Sequence, residues 1–407
     1  MRKWIVLFAG VALQSILGGV YAWSAFVPAL TAEHGLSRGQ SGLIFGLTIA
    51  VFTIVMIPAG KVLRKLGPRI TAGAGAVLFT TGYLIASFSG GSFPIILIGI
   101  GVVTGAGIGA GYVCPLTVGM KWFPNNKGLV TGVAVAGFGG GAVLLSVLVQ
   151  YLLATVGWGV LPTFRLVGLL FGGAAFVAAM LLREPESAQT AAAGRESRTV
   201  PLRRYVLSGP FLLLWLGIFT GTFAGLLTVG NLKPIILNSG LSDDIATIGI
   251  SVFALGNAAG RIIWGQIHDR AGSRATIILS LAFLALTLVP FLTQPAAPFM
   301  LPTVALAGIG FGACFVVYAA SMVEFFGTEL FPRLYPICFL GYGLAGITAP
   351  GTGGLIADTT GSFIPAILLS GVILVAAIAV LGIRFPGSAS DSSVYPEEAV
   401  EEYSPSA

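Results

Sequence analysis

Charged residues are scarce in this chain. They make up 9% of its 407 residues, whereas hydrophobic residues make up 56%, and a soluble domain has about 25% charged residues. So few charges cannot cover a water-exposed surface, which excludes an ordinary soluble protein. Lys and Arg number 21 against 15 Asp and Glu. We attribute this excess to membrane topology, so that we expect the lipid bilayer and no nucleic acid as a partner.

Cysteine and histidine are rarer still. The three cysteines, Cys114, Cys314 and Cys338, all lie in apolar stretches, and the chain has only two histidines. Three thiols so placed indicate neither a disulfide framework nor a metal site, and we interpret them as packing residues. Because no cluster of His, Cys and carboxylates is visible, we expect no catalytic residue, no metal and no cofactor, which argues against a membrane-embedded enzyme.

Long apolar runs are abundant instead. A helix of about 20 apolar residues crosses the roughly 30 Å hydrocarbon core of a bilayer. We therefore predict an all-α integral membrane protein with twelve transmembrane helices, at 4–29, 41–63, 70–89, 93–120, 128–153, 163–183, 209–235, 244–267, 275–294, 298–325, 334–357 and 363–384. The first run is too long for the apolar core of a signal peptide, so we expect the mature protein to keep it.

The basic residues between the runs predict the orientation. Lys and Arg in short loops are retained in the cytoplasm. With the N-terminus inside, the cytoplasmic side receives Arg2, Lys3, Lys61, Arg64, Lys65, Arg69, Lys121, Lys127, Arg183, Arg195, Arg198, Arg203, Arg204, Arg270, Arg274, Arg333 and Arg384. We predict a multi-pass protein of the cell membrane with both termini in the cytoplasm.

A polar stretch divides the runs six and six. We predict an N-terminal half at 1–183, a flexible cytoplasmic linker at 184–208, a C-terminal half at 209–384 and a disordered acidic cytoplasmic tail at 385–407. The halves share a loop, GKVLRKLGPR at 60–69 and GQIHDRAGSR at 265–274. Such internal repeats are typical of transporters whose substrate site lies between two halves.

Glycines recur at helical spacing in several runs. Gly101, Gly105 and Gly109 lie four residues apart on one helical face, and so do Gly308 and Gly312. This spacing predicts close approach of a neighbouring helix. The stretch GAGIGAG at 105–111 lacks the preceding strand that a dinucleotide-binding loop requires, so we exclude that function.

The shared loop resembles the signature loop of the major facilitator superfamily. YAWSAF at 21–26, GRIIWG at 260–265 and GYGLAGITAPGTGGLIADTTGS at 341–362 resemble the oxalate/formate antiporter family, which is close to the monocarboxylate porters. The resemblance covers nearly the whole membrane region and implies the major facilitator fold, a secondary transporter and a monomer. It implies conformational gating by Gly60, Arg64, Gly67, Arg69, Gly265, Asp269, Arg270, Gly272 and Arg274. Arg64 stands where the superfamily usually has an acid.

Arg261 lies within the eighth apolar run. A charge inside a membrane costs several kcal/mol unless it faces a cavity, has a partner or reaches the interface. The interface is about 12 Å of helix away, at Asp269, so we favour a cavity-facing side chain over one that extends to the surface.

No acidic residue is well placed to pair with Arg261. All the acids lie in loops, in the tail or at the ends of runs: Glu33, Glu184, Glu186, Glu196, Asp243, Asp244, Asp269, Glu324, Glu329, Asp358, Asp391, Glu397, Glu398, Glu401 and Glu402. A small carboxylate anion is therefore the expected counter-ion, because a guanidinium matches its planar geometry. Asn257 lies four residues earlier on the same helical face and is a second candidate ligand. The monocarboxylate porters often have an acid there.

The eleventh run gives a hypothesis about substrate charge. Oxalate exchange in the family that the chain resembles uses a second cation, a lysine within a stretch like F-T-A-K-G. Here Phe339 to Gly343 read FLGYG, and Tyr342 takes the place of the lysine. One cation balances one carboxylate, so a monocarboxylate such as formate, lactate or pyruvate is favoured over oxalate. Tyr342 either donates a hydrogen bond to the substrate or packs as an aromatic residue.

Four further residues have two interpretations each. Tyr21, Tyr112 and Tyr318 lie within apolar runs, where a hydroxyl needs a partner, so each is either a substrate ligand or a structural tyrosine. Lys233 precedes Pro234 near the outer end of the seventh run. We expect its side chain to extend to the membrane surface, or else to guide anions toward the cavity.

The expected mechanism is alternating access with Arg261 as the carboxylate anchor. An empty transporter would have to enclose an unpaired cation, which favours exchange of one anion for another. Three alternatives remain open: proton-coupled monocarboxylate symport, oxalate/formate antiport and a receptor that binds an anion without moving it. Symport requires a residue that carries the proton, and His34 and His268 both lie at the ends of runs.

Overall fold

The chain forms a bundle of helices. The computed structural model describes residues 2–123, 127–185 and 202–386, and every regular element in these ranges is helical. In chain order the helices are Arg2–Gly18, the 3-10 segment Gly19–Ala25, Val27–His34, Arg38–Ser87, Phe93–Ile96, the π segment Leu97–Thr104, Gly105–Trp122, Lys127–Gly140, Ala142–Gln150, the π segment Tyr151–Thr155, Val160–Leu181, Leu202–Val206, Gly209–Gly230, Leu232–Asn238, Asp243–Leu288, the 3-10 segment Val289–Thr293, Ala297–Cys338, Leu340–Thr360 and Ile364–Arg384.

These helices provide twelve membrane spans. Within the described residues, nine helical stretches are long and apolar enough to cross a membrane. Two of the nine, of 50 and 51 residues, turn back at Gly67 and Gly272 and supply two spans each. The chain after Gly327, continued by Leu340–Thr360, supplies the remaining span. The predicted fold class and span count are confirmed, and the spans are numbered here from first to twelfth.

The predicted linker and tail lie largely outside the described residues, at 186–201 and 387–407. The beginning of the linker is attached to the fourth span. Lys121 Nζ lies 2.7 Å from Glu184 Oε1, and Trp122 Nε1 donates to the Arg183 carbonyl at 2.6 Å. The end of the linker includes a short helix, Leu202–Val206.

Three glycines turn the chain between consecutive spans. Gly67, Gly272 and Gly327 have φ of 79°, 73° and 75° and ψ of 172°, 174° and 165°. Only glycine occupies this region without strain. Gly67 and Gly272 hold the same position in the two copies of the shared loop, which explains why both copies have glycine there. We call the side of the bundle that carries these turns the glycine-turn side.

We expect Gly272→Ala to destabilise the protein. A β-carbon in this backbone conformation costs about 1–3 kcal/mol, so the midpoint of thermal unfolding in detergent should fall. Gly265→Ala is the matched control, because its β-carbon would meet only Val316 Cγ2, at 3.8 Å, and alanine favours a helix. Equal midpoints for the two variants would show that the turn carries no strain.

Glycines also bring helices into backbone contact, as predicted. A β-carbon at Gly105 would lie 2.8 Å from the Thr48 carbonyl oxygen, and one at Gly109 would lie 2.6 Å from that of Phe52. A β-carbon at Gly312 would lie 2.5 Å from the Asn257 carbonyl oxygen. The fourth span is thereby fixed on the second, and the tenth on the eighth.

The two halves meet on the side opposite the glycine turns. Asp358 accepts hydrogen bonds from the backbone N–H groups of Arg38 at 3.2 Å and Gly39 at 2.8 Å, and Ser146 Oγ lies 3.2 Å from Ser251 Oγ. Between described residues, hydrogen bonds that join the halves occur only on this side or in the middle of the spans. The bundle is therefore closed on the side opposite the glycine turns.

Candidate functional site

Arg261 is buried between the two halves. Only 3% of its surface is exposed, although it lies in an eighth span that has lipid-facing residues such as Ile262, which is 58% exposed. The side chain does not extend to the membrane surface. It points instead toward the fifth span, which belongs to the other half.

Three groups hold the guanidinium in this position. Its Nη1 donates to the Val135 carbonyl on the fifth span at 2.6 Å, and its Nε donates to Asn257 Oδ1 at 3.3 Å. Its Cζ lies 4.3 Å from the centre of the Phe315 ring on the tenth span. A cation over the face of an aromatic ring is stabilised by the ring quadrupole. These contacts are neutral, so they leave the charge of Arg261 uncompensated.

Two donors at this position have no acceptor. Arg261 Nη2 and Asn257 Nδ2 are both buried without a hydrogen-bond partner among the described residues. Within the same part of the chain, no Asp or Glu forms an ion pair with Arg261. A buried donor without a partner costs about 1–3 kcal/mol, and more if it is charged. The arrangement therefore fits a small ligand that carries negative charge on an oxygen acceptor.

Helix packing determines the direction in which these side chains point. Gly256 and Gly260 lie one turn apart and press against the carbonyl groups of Ala305 and Ile309 on the tenth span. Asn257 and Arg261 follow each glycine by one residue and so share an adjacent helical face. That face is turned toward the fifth span of the other half.

Three of the predicted tyrosines lie near Arg261. Tyr21 Oη and Tyr342 Oη lie 2.9 Å apart, which joins the first span to the eleventh across the halves. The Tyr342 ring packs 5.3 Å from that of Phe315, the residue that covers the guanidinium. Tyr21 and Tyr112 both pack against Phe138, at 5.6 and 5.1 Å between ring centres. The structure thus brings Tyr21, Tyr112 and Tyr342 into the neighbourhood of Arg261.

Tyr318 lies apart from this group. Its ring packs against Gly217 of the seventh span, where a β-carbon would lie 2.6 Å from Tyr318 Cε1. Its hydroxyl is buried without a hydrogen-bond partner among the described residues. Both contacting spans belong to the C-terminal half, so the position suits packing within that half.

The expectation that Lys233 extends to the surface is wrong. Only 3% of Lys233 is exposed. Its Nζ lies 2.8 Å from Asp243 Oδ1 and donates to Gln150 Oε1 at 2.9 Å. Asp243 begins the next span, and Gln150 lies in the other half, so two separate segments supply the partners that allow this lysine to be buried. Its charge is therefore already balanced.

The predicted gating residues lie on the glycine-turn side. Arg64, Asp269 and Arg270 are exposed, and Arg274 donates to the Gly382 carbonyl at 2.6 Å. Gly67 and Gly272 form the turns, while Gly60 and Gly265 are ordinary helical residues. Arg69 is half-buried. The structure places these residues between consecutive spans, and their gating role stays a prediction.

His268 lies at the end of the eighth span and is buried beside the second loop. Its Nε2 lies 3.2 Å from Ser273 Oγ, 3.3 Å from Ser321 Oγ and 3.7 Å from Glu324 Oε2. Ser273 in turn donates to Glu324. The histidine thus connects the turn at Gly272 to the tenth span.

Sequence analysis did not find Val135, Gly139 or Phe315. A β-carbon at Gly139 would lie 3.1 Å from Arg261 Nε, so the absence of a side chain lets the guanidinium lie against the fifth span. The three residues precede or follow Arg261 by more than fifty positions. No local sequence pattern connects them to it.

The comparisons with known proteins agree with this architecture. The family model described as Major Facilitator Superfamily matches residues 7–242 and 227–402. The chain belongs to the major facilitator superfamily. Its family and fold are those of membrane transporters, not of enzymes. The oxalate:formate antiporter of Oxalobacter formigenes is 26% identical over 88% of this chain and 86% of that protein.

Two further proteins extend the comparison. The apicoplast pyruvate carrier 1 of Toxoplasma gondii is 27% identical over 83% of this chain and 81% of the carrier. The crystal structure of a D-xylose-proton symporter superposes with a TM-score of 0.77 at 15% identity, over 96% of this chain and 99% of the symporter. At that identity the symporter shows the fold alone, which is the two-half bundle of this superfamily.

Proposed function

We propose that this protein transports small monocarboxylates, of the formate, lactate or pyruvate type, by alternating access and in exchange for one another. The observation that carries the proposal is the pair of unpartnered buried donors, Arg261 Nη2 and Asn257 Nδ2. A carboxylate supplies two oxygen acceptors and the negative charge that the buried guanidinium requires. The oxalate:formate antiporter and the apicoplast pyruvate carrier 1, which are relatives of this chain, support the same substrate class.

The charge balance of the site supports one carboxylate per substrate. Arg261 is the cation between the halves, and Tyr342 occupies the place of the lysine expected for oxalate exchange. Lys233 is paired with Asp243 at 2.8 Å and so does not provide a second positive charge. A dicarboxylate would bring one negative charge without a partner into a site of low dielectric.

We further propose that the glycine-turn side faces the cytoplasm and that the transporter acts as a monomer. The basic loops support this orientation, because Lys61, Arg64 and Lys65 are exposed on that side. With this orientation the structure is closed toward the cell exterior.

Exchange follows from the state of Arg261 without substrate. Its charge then has only neutral partners, which disfavours reorientation of the empty transporter. Proton-coupled symport is the second candidate. The observation that favours it is the contact between the buried His268 and Glu324, with Nε2 3.7 Å from Oε2.

Uptake into proteoliposomes tests the proposal. Labelled formate, lactate, pyruvate and oxalate are supplied to vesicles that are empty or preloaded with the same unlabelled anion. We expect preloading to accelerate uptake of at least one monocarboxylate about tenfold or more, since a bound carboxylate neutralises the cation. Oxalate uptake should stay at the level of protein-free vesicles.

Two results would contradict the proposal. Accumulation of lactate in empty vesicles under an inward proton gradient, without acceleration by preloading, would make the protein a symporter. Oxalate uptake equal to that of formate would refute the argument from charge balance. Protein-free liposomes are the control, because protonated monocarboxylic acids cross bilayers by themselves.

A further inference from the structure

The fifth span contacts Arg261 through its backbone. The Val135 carbonyl accepts from Arg261 Nη1 at 2.6 Å. One turn later, the missing side chain of Gly139 leaves room for the rest of the guanidinium, since a β-carbon there would lie 3.1 Å from Nε and 3.4 Å from Cζ. A helix backbone thus holds a cation of the opposite half along one edge.

These contacts occupy two of the three guanidinium nitrogens. Nη1 is bound to Val135 and Nε to Asn257 Oδ1, and the Phe315 ring covers one face. The donor atoms that have no partner at all are Nη2 of Arg261 and Nδ2 of Asn257. Because Asn257 already occupies Nε, the edge formed by Nε and Nη2 is not free to give a carboxylate the usual two parallel bonds. A carboxylate that satisfies both unpartnered groups receives one bond from Nη2 and one from Asn257 Nδ2.

We propose that the turn from Val135 to Gly139 is a positioning site for Arg261 that determines which guanidinium nitrogen faces the substrate. This inference rests on the proposed function, because it assumes that Arg261 binds the transported anion. The carbonyl anchors Nη1, and Gly139 admits the guanidinium. The adjacent glycine does not take part, because a β-carbon at Gly140 would meet only Ala258 Cβ, at 3.9 Å.

The position of the site has a second consequence. Val135 and Gly139 belong to the N-terminal half and Arg261 to the C-terminal half, so the contact depends on how the fifth and eighth spans are packed. The same two spans meet again at Ser146 and Ser251, 3.2 Å apart. The orientation of the anion ligand is therefore linked to closure of the side opposite the glycine turns.

Gly139→Ala tests the inference, with Gly140→Ala as its matched control. Labelled formate, lactate and pyruvate serve as probes in preloaded proteoliposomes. We expect Gly139→Ala to raise the half-saturation concentration about fivefold at an unchanged maximal rate, because displacing Nη2 by a few tenths of an ångström weakens anion binding. Gly140→Ala should stay within about twofold of wild type.

Combining the substitution with Arg261→Lys separates positioning from packing. A lysine has a single rotating ammonium group in place of the planar fork, so there is no choice of nitrogen for the fifth span to set, and Gly139→Ala should have a smaller effect in that background than in the wild type. If Arg261→Lys is too slow to measure, the rise in half-saturation concentration at constant maximal rate decides alone. A fall in maximal rate instead would identify Gly139 as a helix-packing residue and overturn the inference.

The outcomes distinguish this inference from the proposed function. One outcome is that Gly139→Ala has the half-saturation concentration of the wild type while Arg261→Ala loses transport. This would overturn the positioning site and leave the anion site intact. Retained transport in Arg261→Ala would overturn both.

Discussion

Arg261→Ala is expected to reduce carboxylate exchange by about a hundredfold or more. Each hydrogen bond to a charged group contributes about 1.5–3 kcal/mol, and each 1.4 kcal/mol is tenfold in binding. Alanine also removes the charge that an anion requires in a buried site. Arg261→Lys should retain part of the activity, since it keeps the charge but cannot bind Val135 and Asn257 together. The measurement is initial uptake of labelled monocarboxylates into preloaded proteoliposomes.

Arg165→Ala is the matched control for this prediction. Arg165 also lies over an aromatic ring, with Cζ 4.5 Å from the centre of Phe88, but it is exposed on the sixth span. Its removal should change uptake by less than about twofold, because exposed charges contribute little. Equal losses in the two alanine variants would mean that the effect of Arg261 arises from folding and not from anion binding.

Tyr342→Lys is expected to change the preferred substrate. The hydroxyl of Tyr342 lies 2.9 Å from that of Tyr21, and the Tyr342 ring packs against Phe315, which lies over Arg261. A lysine here would place a second cation near Arg261. The two cations should repel each other when no substrate is bound, and the second one should attract a second carboxylate group. We expect the ratio of oxalate to formate uptake to rise about tenfold or more.

Tyr342→Phe provides the control for the new charge. It keeps the aromatic ring, which packs 5.3 Å from that of Phe315, and removes only the hydroxyl. It should leave the ratio of oxalate to formate uptake unchanged. If purified Tyr342→Lys elutes as a monodisperse protein and still ignores oxalate, the charge-balance argument for a monocarboxylate fails.

The spans and the interior position of Arg261 were predictable because both depend on the hydropathy of a single helix and not on its neighbours. An apolar run of sufficient length must cross the membrane whatever surrounds it. A cation far from either end of such a run must face a cavity or pair with another group. Asn257 was predictable for the same reason, since residues four apart share a helical face.

The partners of Arg261 were not predictable, because they come from other spans and partly from backbone. A carbonyl group such as that of Val135 is present at every residue and leaves no signal in a sequence. The expectation for Lys233 failed in the same way. Its partners, Asp243 and Gln150, belong to different spans, and only the packing of the halves brings them near.

The contact of Asp358 with the second span adds to a helix cap from across the two halves. Ser37 and Gln40 form a capping box within one half, with bonds of 3.1 and 3.0 Å. Asp358 accepts further bonds from the backbone N–H groups of Arg38 and Gly39 in the other half. Under the alternating access proposed above, we expect the bonds of Asp358 to break when that side opens, while the capping box stays within its own half.

Capping interactions contribute about 1 kcal/mol, and a difference of this size changes a population ratio about fivefold. Capping usually stabilises a fold permanently. Here the other half supplies part of the cap of one helix, so under the proposed mechanism this part would form at each closure and be lost at each opening. We therefore expect the strength of a helix end to help set how long the protein stays closed on that side.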